Sequence, residues 1–74
     1  MRFKFYRERM KFTQDDVALT LGIDRSSVAK WETGKALPRG LLLFRVAELY
    51  GCTVDELLRP EVPERGMMAN VETR

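Results

Sequence analysis

Residues 14–33 read QDDVALTLGIDRSSVAKWET, and this stretch decides the fold. Apolar residues recur at helical spacing before Gly22 and resume the same spacing after it. Glycine adopts the left-handed conformation that ends a helix without a steric penalty, and Asp24 is a good N-cap for a second helix. The residues that set the period are Val17, Ala18, Leu21, Val28 and Trp31. The stretch therefore predicts a helix-turn-helix.

The small side chain of Ala18 supports this prediction. Two short helices that cross at a steep angle need a position where their backbones approach closely, and Ala18 lies one turn before the corner. An αα-hairpin with no nucleic-acid role has a similar pattern, so the stretch alone leaves both interpretations open.

Composition limits the class of protein. The 74 residues are enough for one small domain, and a hydrophobic content of 45% is enough for a core. Strand-like alternation is absent, which predicts an all-α fold. No apolar run approaches the roughly 18 residues of a membrane span, and no signal peptide is evident, so we expect a cytoplasmic protein. A single Cys52 and no histidine argue against an internal disulfide framework and a Cys/His zinc site. We expect no metal and no cofactor.

Charge is unevenly distributed along the chain. Residues 1–45 hold ten Lys and Arg against five Asp and Glu, whereas residues 46–74 hold three against six. The segment 25–45 contains five basic residues and only Glu32 as an acidic one. Such clustering on and after the second helix of the motif is what a phosphate-facing surface requires, although a solvated basic face is the alternative.

The rest of the chain predicts three more helices. The first covers 2–10, with Phe3, Tyr6 and Met10 towards the core. The fourth covers 39–50 and ends at Gly51, and a short fifth ends near residue 58. The fourth helix has an expected inner stripe of Leu43, Ala47 and Tyr50, flanked by Phe44 and Val46. Residues 59–74 contain Pro60, Pro63 and Gly66 and predict a mostly irregular tail.

Two short patterns predict where helices begin. Thr13 and Asp16 have the spacing of a capping box at the start of the second helix. Thr53 and Glu56 repeat that spacing at the start of the fifth.

Residues 3–58 resemble the DNA-binding domain of the phage Cro and repressor family of helix-turn-helix regulators, also called the XRE-like family. The matching segments are YRERMKFTQDDVA, LGIDRSSVAKWETGK and YGCTVDELL, in the order and spacing of the family. The resemblance implies a five-helix, lambda-repressor-like domain over residues 1–58 and leaves the tail, 59–74, unexplained.

The resemblance also implies roles for individual residues. The third helix of the family lies in the major groove of double-stranded DNA. The positions that match base-reading residues are Arg25, Ser26 and Lys30. The positions that match phosphate-contacting residues are Gln14, Ser27, Thr33, Lys35 and Arg39. Ordinary exposed residues are the alternative for Ser26, Ser27, Thr33 and Lys35.

Two further positions match an internal ion pair of the family. Arg7 of the first helix and Glu32 of the third are expected to pair and to orient the third helix. Trp31 shares the face of Val28, so we expect it in the core rather than stacked on a base.

The chain departs from the family pattern at two places. Lys11 stands where the family often has glycine, so we expect either strain or a different cap at that corner. Apolar residues also stand on the fourth helix where polar ones are common; with one from the first helix they are Phe5, Leu41, Leu42 and Leu49. An exposed apolar patch of this size indicates that part of it is a homodimer surface, and the alternative is that the fourth helix is more deeply buried.

The function expected from these observations is that of a cytoplasmic transcriptional regulator, a repressor, which reads a pseudo-palindromic operator as a homodimer. Its two recognition helices would lie about 34 Å apart. An antitoxin or anti-repressor that uses the same fold to bind a partner protein is the alternative. We expect no enzyme, because the chain has no histidine and no glycine-rich phosphate loop, and no small-molecule ligand is evident.

Overall fold

The computed structural model describes residues 1–60, and these form five α-helices without a β-strand. The helices are α1 (Phe3–Arg9), α2 (Gln14–Leu21), α3 (Arg25–Thr33), α4 (Leu41–Tyr50) and α5 (Val54–Leu58). The all-α, five-helix prediction is confirmed over this part of the chain. The tail predicted as irregular falls, from residue 61 on, outside the described residues.

Capping boxes begin α2 and α5, as the sequence predicts. The N–H of Asp16 donates to Oγ1 of Thr13 at 3.0 Å, and the N–H of Thr13 donates to the Asp16 carboxylate at 2.8 Å. The bond from the Thr13 backbone N–H to the carboxylate, followed by the Thr13 side chain, holds the pKa of the Asp16 carboxyl below its usual range. Thr53 and Glu56 form the same pair of bonds at 3.0 and 2.9 Å.

The corner between α2 and α3 is set by Gly22 more than by Asp24. Gly22 has φ +70°, the left-handed conformation predicted for it. Asp24 occupies the N-cap of α3 with an extended backbone, but its side chain accepts no hydrogen bond there. The N-cap prediction was therefore right in position and wrong in mechanism.

α4 starts two residues later than predicted, because Gly40 at φ +54° and ψ −131° cannot belong to a helix.

All five helices contribute to one core. Trp31 is buried there with its ring centroid 6.0 Å from that of Phe3, which confirms the core placement predicted for it. The buried apolar residues are Phe3, Tyr6, Val17, Ala18, Leu21, Val28, Trp31, Val46, Ala47, Tyr50 and Leu57.

Three burial predictions need correction. Met10 is exposed, because α1 ends at Arg9 and Met10 forms its C-cap. On α4 the inner stripe runs through positions 43, 46, 47 and 50, so Val46 is fully buried while Leu43 is only partly covered. Because this stripe faces the core, Phe44 points outward and is 62% exposed.

Lys11 is the only non-glycine residue with positive φ among residues 1–60. Its φ of +66° places a side chain where glycine is the usual residue, between α1 and α2. None of the helices in this part of the chain is long and apolar enough to cross a membrane.

Candidate nucleic-acid interface

α3 has a buried face and an exposed face. Val28 and Trp31 anchor the buried face in the core, where α2 packs against it. The expected base-reading side chains lie on the exposed face; they are Arg25, Ser26 and Lys30. The local sequence causes this division, because its apolar residues are three apart and polar residues fill the positions between them.

A buried ion pair joins α1 to α3. Nε of Arg7 donates to Oε2 of Glu32 at 2.6 Å, and Nη2 donates to Oε1 at 3.1 Å. The two side chains are 10% and 5% exposed. The bond to Glu32 is the main reason that the pKa of Arg7 is raised. The structure thus contains the pair that the family resemblance implied.

Two further hydrogen bonds complete this network. Nη1 of Arg7 donates to the carbonyl of Phe12 at 2.7 Å, which connects the ion pair to the corner before α2. Nε2 of Gln14 donates to Oε1 of Glu32 at 3.0 Å. The Gln14 amide has a second N–H, so contact with Glu32 leaves one donor that can bind a phosphate.

A cleft collects three of the expected DNA-contacting residues. Ser27, Lys30 and Arg39 line it, beside α3 and the loop that leads to α4. Its volume is about 350 Å³, and its apolar walls include Trp31 and Leu42. Lys35, on the same loop, is exposed and does not line this cleft.

Arg25 has a weak acidic neighbour. Its Nε lies 3.8 Å from Oδ1 of Asp15, and both side chains are mostly exposed. A contact of this length between exposed groups contributes little, so Arg25 is free to exchange Asp15 for another acceptor.

The Thr33 hydroxyl is less available for binding a phosphate than the sequence suggested. Its hydroxyl donates to the carbonyls of Ala29 and Lys30 at 3.2 and 3.3 Å. A hydroxyl has one hydrogen, so Thr33 would have to give up these bonds before it could donate to a phosphate.

Comparison with known proteins agrees with this geometry. A family model described as helix-turn-helix matches residues 3–57, which include all but the last residue of the five helices. The chain belongs to the XRE-type helix-turn-helix family.

Three relatives are named as HTH-type regulators or activators of transcription. An uncharacterised HTH-type transcriptional regulator of Methanocaldococcus jannaschii is 32% identical over 56 residues, which are 76% of this chain and 85% of the relative. The HTH-type transcriptional activator BcrR of Enterococcus faecalis is 34% identical over 92% of this chain and 32% of its own length. The HTH-type transcriptional regulator DicA of Escherichia coli is 35% identical over 70% and 38%.

The chain therefore spans most of the archaeal relative and about a third of the other two. No solved structure shows a significant match. Membership of this family supports a role in DNA-binding regulation.

Sequence reasoning missed one residue of the exposed face of α3. Ala29 is half-buried and lies between Ser26 and Thr33 on the same side of the helix. The spacing of three and four residues was the signal that could have revealed it. A small apolar side chain at this place suits contact with the methyl group of thymine.

The expected dimer patch also needs correction. Leu42 and Leu49 are partly buried against the core, since α4 turns them towards the other helices. Phe5 lies on α1, where the guanidinium of Arg2 covers its ring at 4.1 Å from the centroid. Of the four predicted residues, Leu41 and Phe5 are exposed, at 77% and 42%, and Phe44 joins Leu41 on the exposed side of α4.

Proposed function

We propose that this protein is a transcriptional regulator that binds double-stranded DNA as a homodimer, with α3 in the major groove. The observation that carries the proposal is the division of α3. Its buried face is fixed by Val28, Trp31 and the ion pair of Glu32, whereas its exposed face is free and carries Arg25 and Lys30. A rigid helix with polar and cationic side chains on its outer face is suited to reading base edges.

The roles of the individual side chains follow from their chemistry. Arg25, at the N-terminal end of α3, has the planar fork that bonds two acceptors of guanine. Ser26 and Lys30 are the other proposed base-reading residues. Gln14, Ser27, Lys35 and Arg39 are proposed to bind phosphates, which fixes the position of the helix without reading sequence. Thr33 is a fifth, weaker candidate for phosphate binding, because its hydroxyl is already bonded within α3.

We further propose that the protein acts in the cytoplasm as a repressor. A domain of this size can repress by occupying a promoter, since occupancy alone excludes other proteins from the site. Binding to a pseudo-palindrome follows from two-fold symmetry, with recognition helices about one turn of DNA, or roughly 34 Å, apart.

The first experiment is selection of bound sequences from random duplex DNA with the wild-type chain and the Arg25→Ala variant. We expect an inverted repeat, and we expect the variant to lose preference at one base of each half-site. Each bidentate contact to guanine gives about 1–3 kcal/mol of discrimination. Lys4→Ala is the matched control, because it removes one exposed positive charge from α1 and should leave the selected sequence unchanged.

Uniform weak binding to all duplexes would contradict the proposal. It would favour the second function, an antitoxin or anti-repressor that binds a partner protein. The exposed side chains of Leu41 and Phe44 are the observation that favours this alternative.

A further inference from the structure

The cleft beside α3 has more apolar wall than contact with DNA requires. Its three polar residues, Ser27, Lys30 and Arg39, are the proposed DNA contacts described above. The other six lining residues are apolar; they are Ile23, Trp31, Ala36, Leu37, Pro38 and Leu42. Apolar walls with a few convergent polar groups are the usual form of a small-molecule site, and the volume of about 350 Å³ lies near the lower end for such sites.

Backbone hydrogen bonds hold the walls of this cleft in place. The carbonyl of Lys30 accepts from the N–H groups of Lys35 and Ala36, at 2.9 and 3.4 Å, which fixes the loop against the end of α3. The N–H of Leu42 donates to the carbonyl of Arg39 at 3.1 Å, where α4 begins. A ligand would therefore enter a site that is largely preformed, which lowers the entropic cost of binding.

The charge of the cleft selects the sign of the ligand. Lys30 and Arg39 are both exposed, and no acidic residue lines the cleft. Neither side chain forms an ion pair within residues 1–60. An anion is therefore complementary to the cleft in charge. A bare inorganic anion would leave the apolar walls without a partner, so the anion that fits has an apolar body.

We propose that the cleft binds a small carboxylate with an apolar body, and that this ligand and DNA exclude one another. The carboxylate accepts hydrogen bonds from Ser27, Lys30 and Arg39, and the apolar body lies against the wall formed by Leu37 and Leu42. The same three polar residues are proposed to contact DNA, so they cannot serve both at once. The exclusion of DNA rests on the proposed function, whereas binding of the carboxylate does not.

No small-molecule ligand was evident from the sequence, because the walls of the cleft come from four separate segments. Ile23 lies at the corner between α2 and α3, Trp31 on α3, and Leu42 on α4. Leu37 belongs to the loop that joins α3 to α4. Only the packing of these segments brings the residues together, and no local motif indicates the site.

Titration of the wild-type chain with octanoate, followed by proton–nitrogen NMR spectroscopy, tests the site without DNA. Octanoate combines one negative charge with an apolar chain, and a ligand of this size binds with a Kd on the order of 1 mM. We expect saturable shifts of the amide signals of the cleft residues and of the indole N–H of Trp31, the single tryptophan of the chain. Octylammonium and 1-octanol lack the negative charge and should bind at least about fivefold more weakly.

Two pairs of variants separate the apolar wall from the charge. Leu37→Ser removes part of the wall and should weaken octanoate binding by about threefold or more. Leu19→Ser is its matched control, because Leu19 is exposed on α2, outside the cleft. Arg39→Gln should weaken octanoate binding by about fivefold, whereas Arg45→Gln removes an exposed charge of α4 outside the cleft and should leave it unchanged. Circular dichroism verifies that each variant is folded.

Competition with DNA tests the exclusion. The affinity for a selected, labelled duplex should fall by about tenfold at an octanoate concentration ten times its own Kd. Acetate at the same concentration is the control, because it supplies the same charge and ionic strength without the apolar chain. Leu37 is not a proposed DNA contact, so Leu37→Ser should bind the duplex as the wild type does and require about threefold more octanoate for the same loss.

Several results would overturn the proposal. The carboxylate site is wrong if octanoate causes no saturable shifts up to about 20 mM, well above the expected Kd. It is also wrong if octylammonium or 1-octanol binds as tightly, or if Leu19→Ser loses as much affinity as Leu37→Ser. Unchanged affinity for DNA when octanoate fills the cleft would overturn the exclusion. A wild-type chain that binds octanoate in the cleft and no duplex at all would support the site and count against DNA recognition instead.

Discussion

Arg7 and Glu32 are 25 residues apart in the chain, yet two hydrogen bonds of 2.6 and 3.1 Å join them. Arg7 belongs to α1 and Glu32 to α3, so the first helix fixes the orientation of the helix proposed to read DNA. Gln14 binds the same carboxylate at 3.0 Å, and three helices therefore meet at one acidic side chain.

Replacement of Glu32 by alanine should strongly destabilise the fold. Arg7 would remain charged and largely buried without its partner, and breaking a buried pair in this way costs about 3–5 kcal/mol. The free energy of unfolding, from urea denaturation, measures the loss. Glu8→Ala is the control, because Glu8 lies 4.0 Å from Arg7 and is 57% exposed, so its loss should be small. Equal losses in the two variants would show that burial does not govern the pair.

Replacement of Lys11 by glycine should stabilise the protein. The left-handed backbone costs a non-glycine residue about 1–2 kcal/mol, and the added freedom of glycine in the unfolded chain offsets part of this, leaving a gain of about 0.5–1 kcal/mol. Thermal unfolding measures the gain. Gly22→Ala should do the opposite, because its φ is +70° and a Cβ there meets nothing within 4 Å, so only backbone strain is added. A lower melting temperature in Lys11→Gly would contradict this account.

The hydroxyl of Tyr50 gives a prediction about alkaline pH. It is buried and has no hydrogen-bond partner among residues 1–60, and burial raises the pKa of this phenol above its usual range. A raised pKa means that the folded state favours the neutral form. Stability from this group is therefore fully present below the unfolded pKa of about 10 and is lost as the pH rises above it.

The Tyr50→Phe variant tests this prediction. Near neutral pH it should be about as stable as the wild type or slightly more stable, because an unpaired buried hydroxyl is removed. Above pH of about 10 its unfolding free energy should fall less steeply than that of the wild type. A clear loss of stability near neutral pH would reveal a hydrogen bond made by the hydroxyl, and the prediction would then be wrong.

The proposed phosphate contacts predict a dependence on salt. Arg39→Ala should weaken binding to all duplexes alike and reduce the slope of log affinity against log salt by about 1. Titrations of labelled duplex at several salt concentrations measure the slope. Lys4→Ala, with the same loss of charge on α1, should change it much less. A change in sequence preference in Arg39→Ala would instead assign Arg39 to base reading.

Local signals made most of the fold predictable. The capping box joins Thr13 and Asp16, three positions apart, and the left-handed Gly22 directly follows the last residue of the same helix. These features depend on neighbours in the sequence, so they can be read from it. Asp24 shows the limit of that approach, because its type suits a cap whereas its side chain makes no capping bond.

Features that depend on packing between distant segments were less predictable. The exposure of Phe44 and the partial burial of Leu42 follow from the rotation of α4 against the core, which no local pattern specifies. The bond from Arg7 to the Phe12 carbonyl likewise depends on how α1 approaches the next corner. Residues such as Arg25 were predicted to contact DNA from the family resemblance. Their roles stay predictions, because such a contact depends on the position of a DNA duplex.

The division of α3 has a consequence for how such a protein can change. Its exposed residues, such as Ser26 and Lys30, lie outside the core to which Val28 and Trp31 belong. Substitutions on the outer face therefore alter what the helix touches without altering what holds it in place. New binding preferences can arise by single substitutions while the fold is retained, and the same separation makes α3 a suitable position for engineering recognition by exchanging only its outer residues.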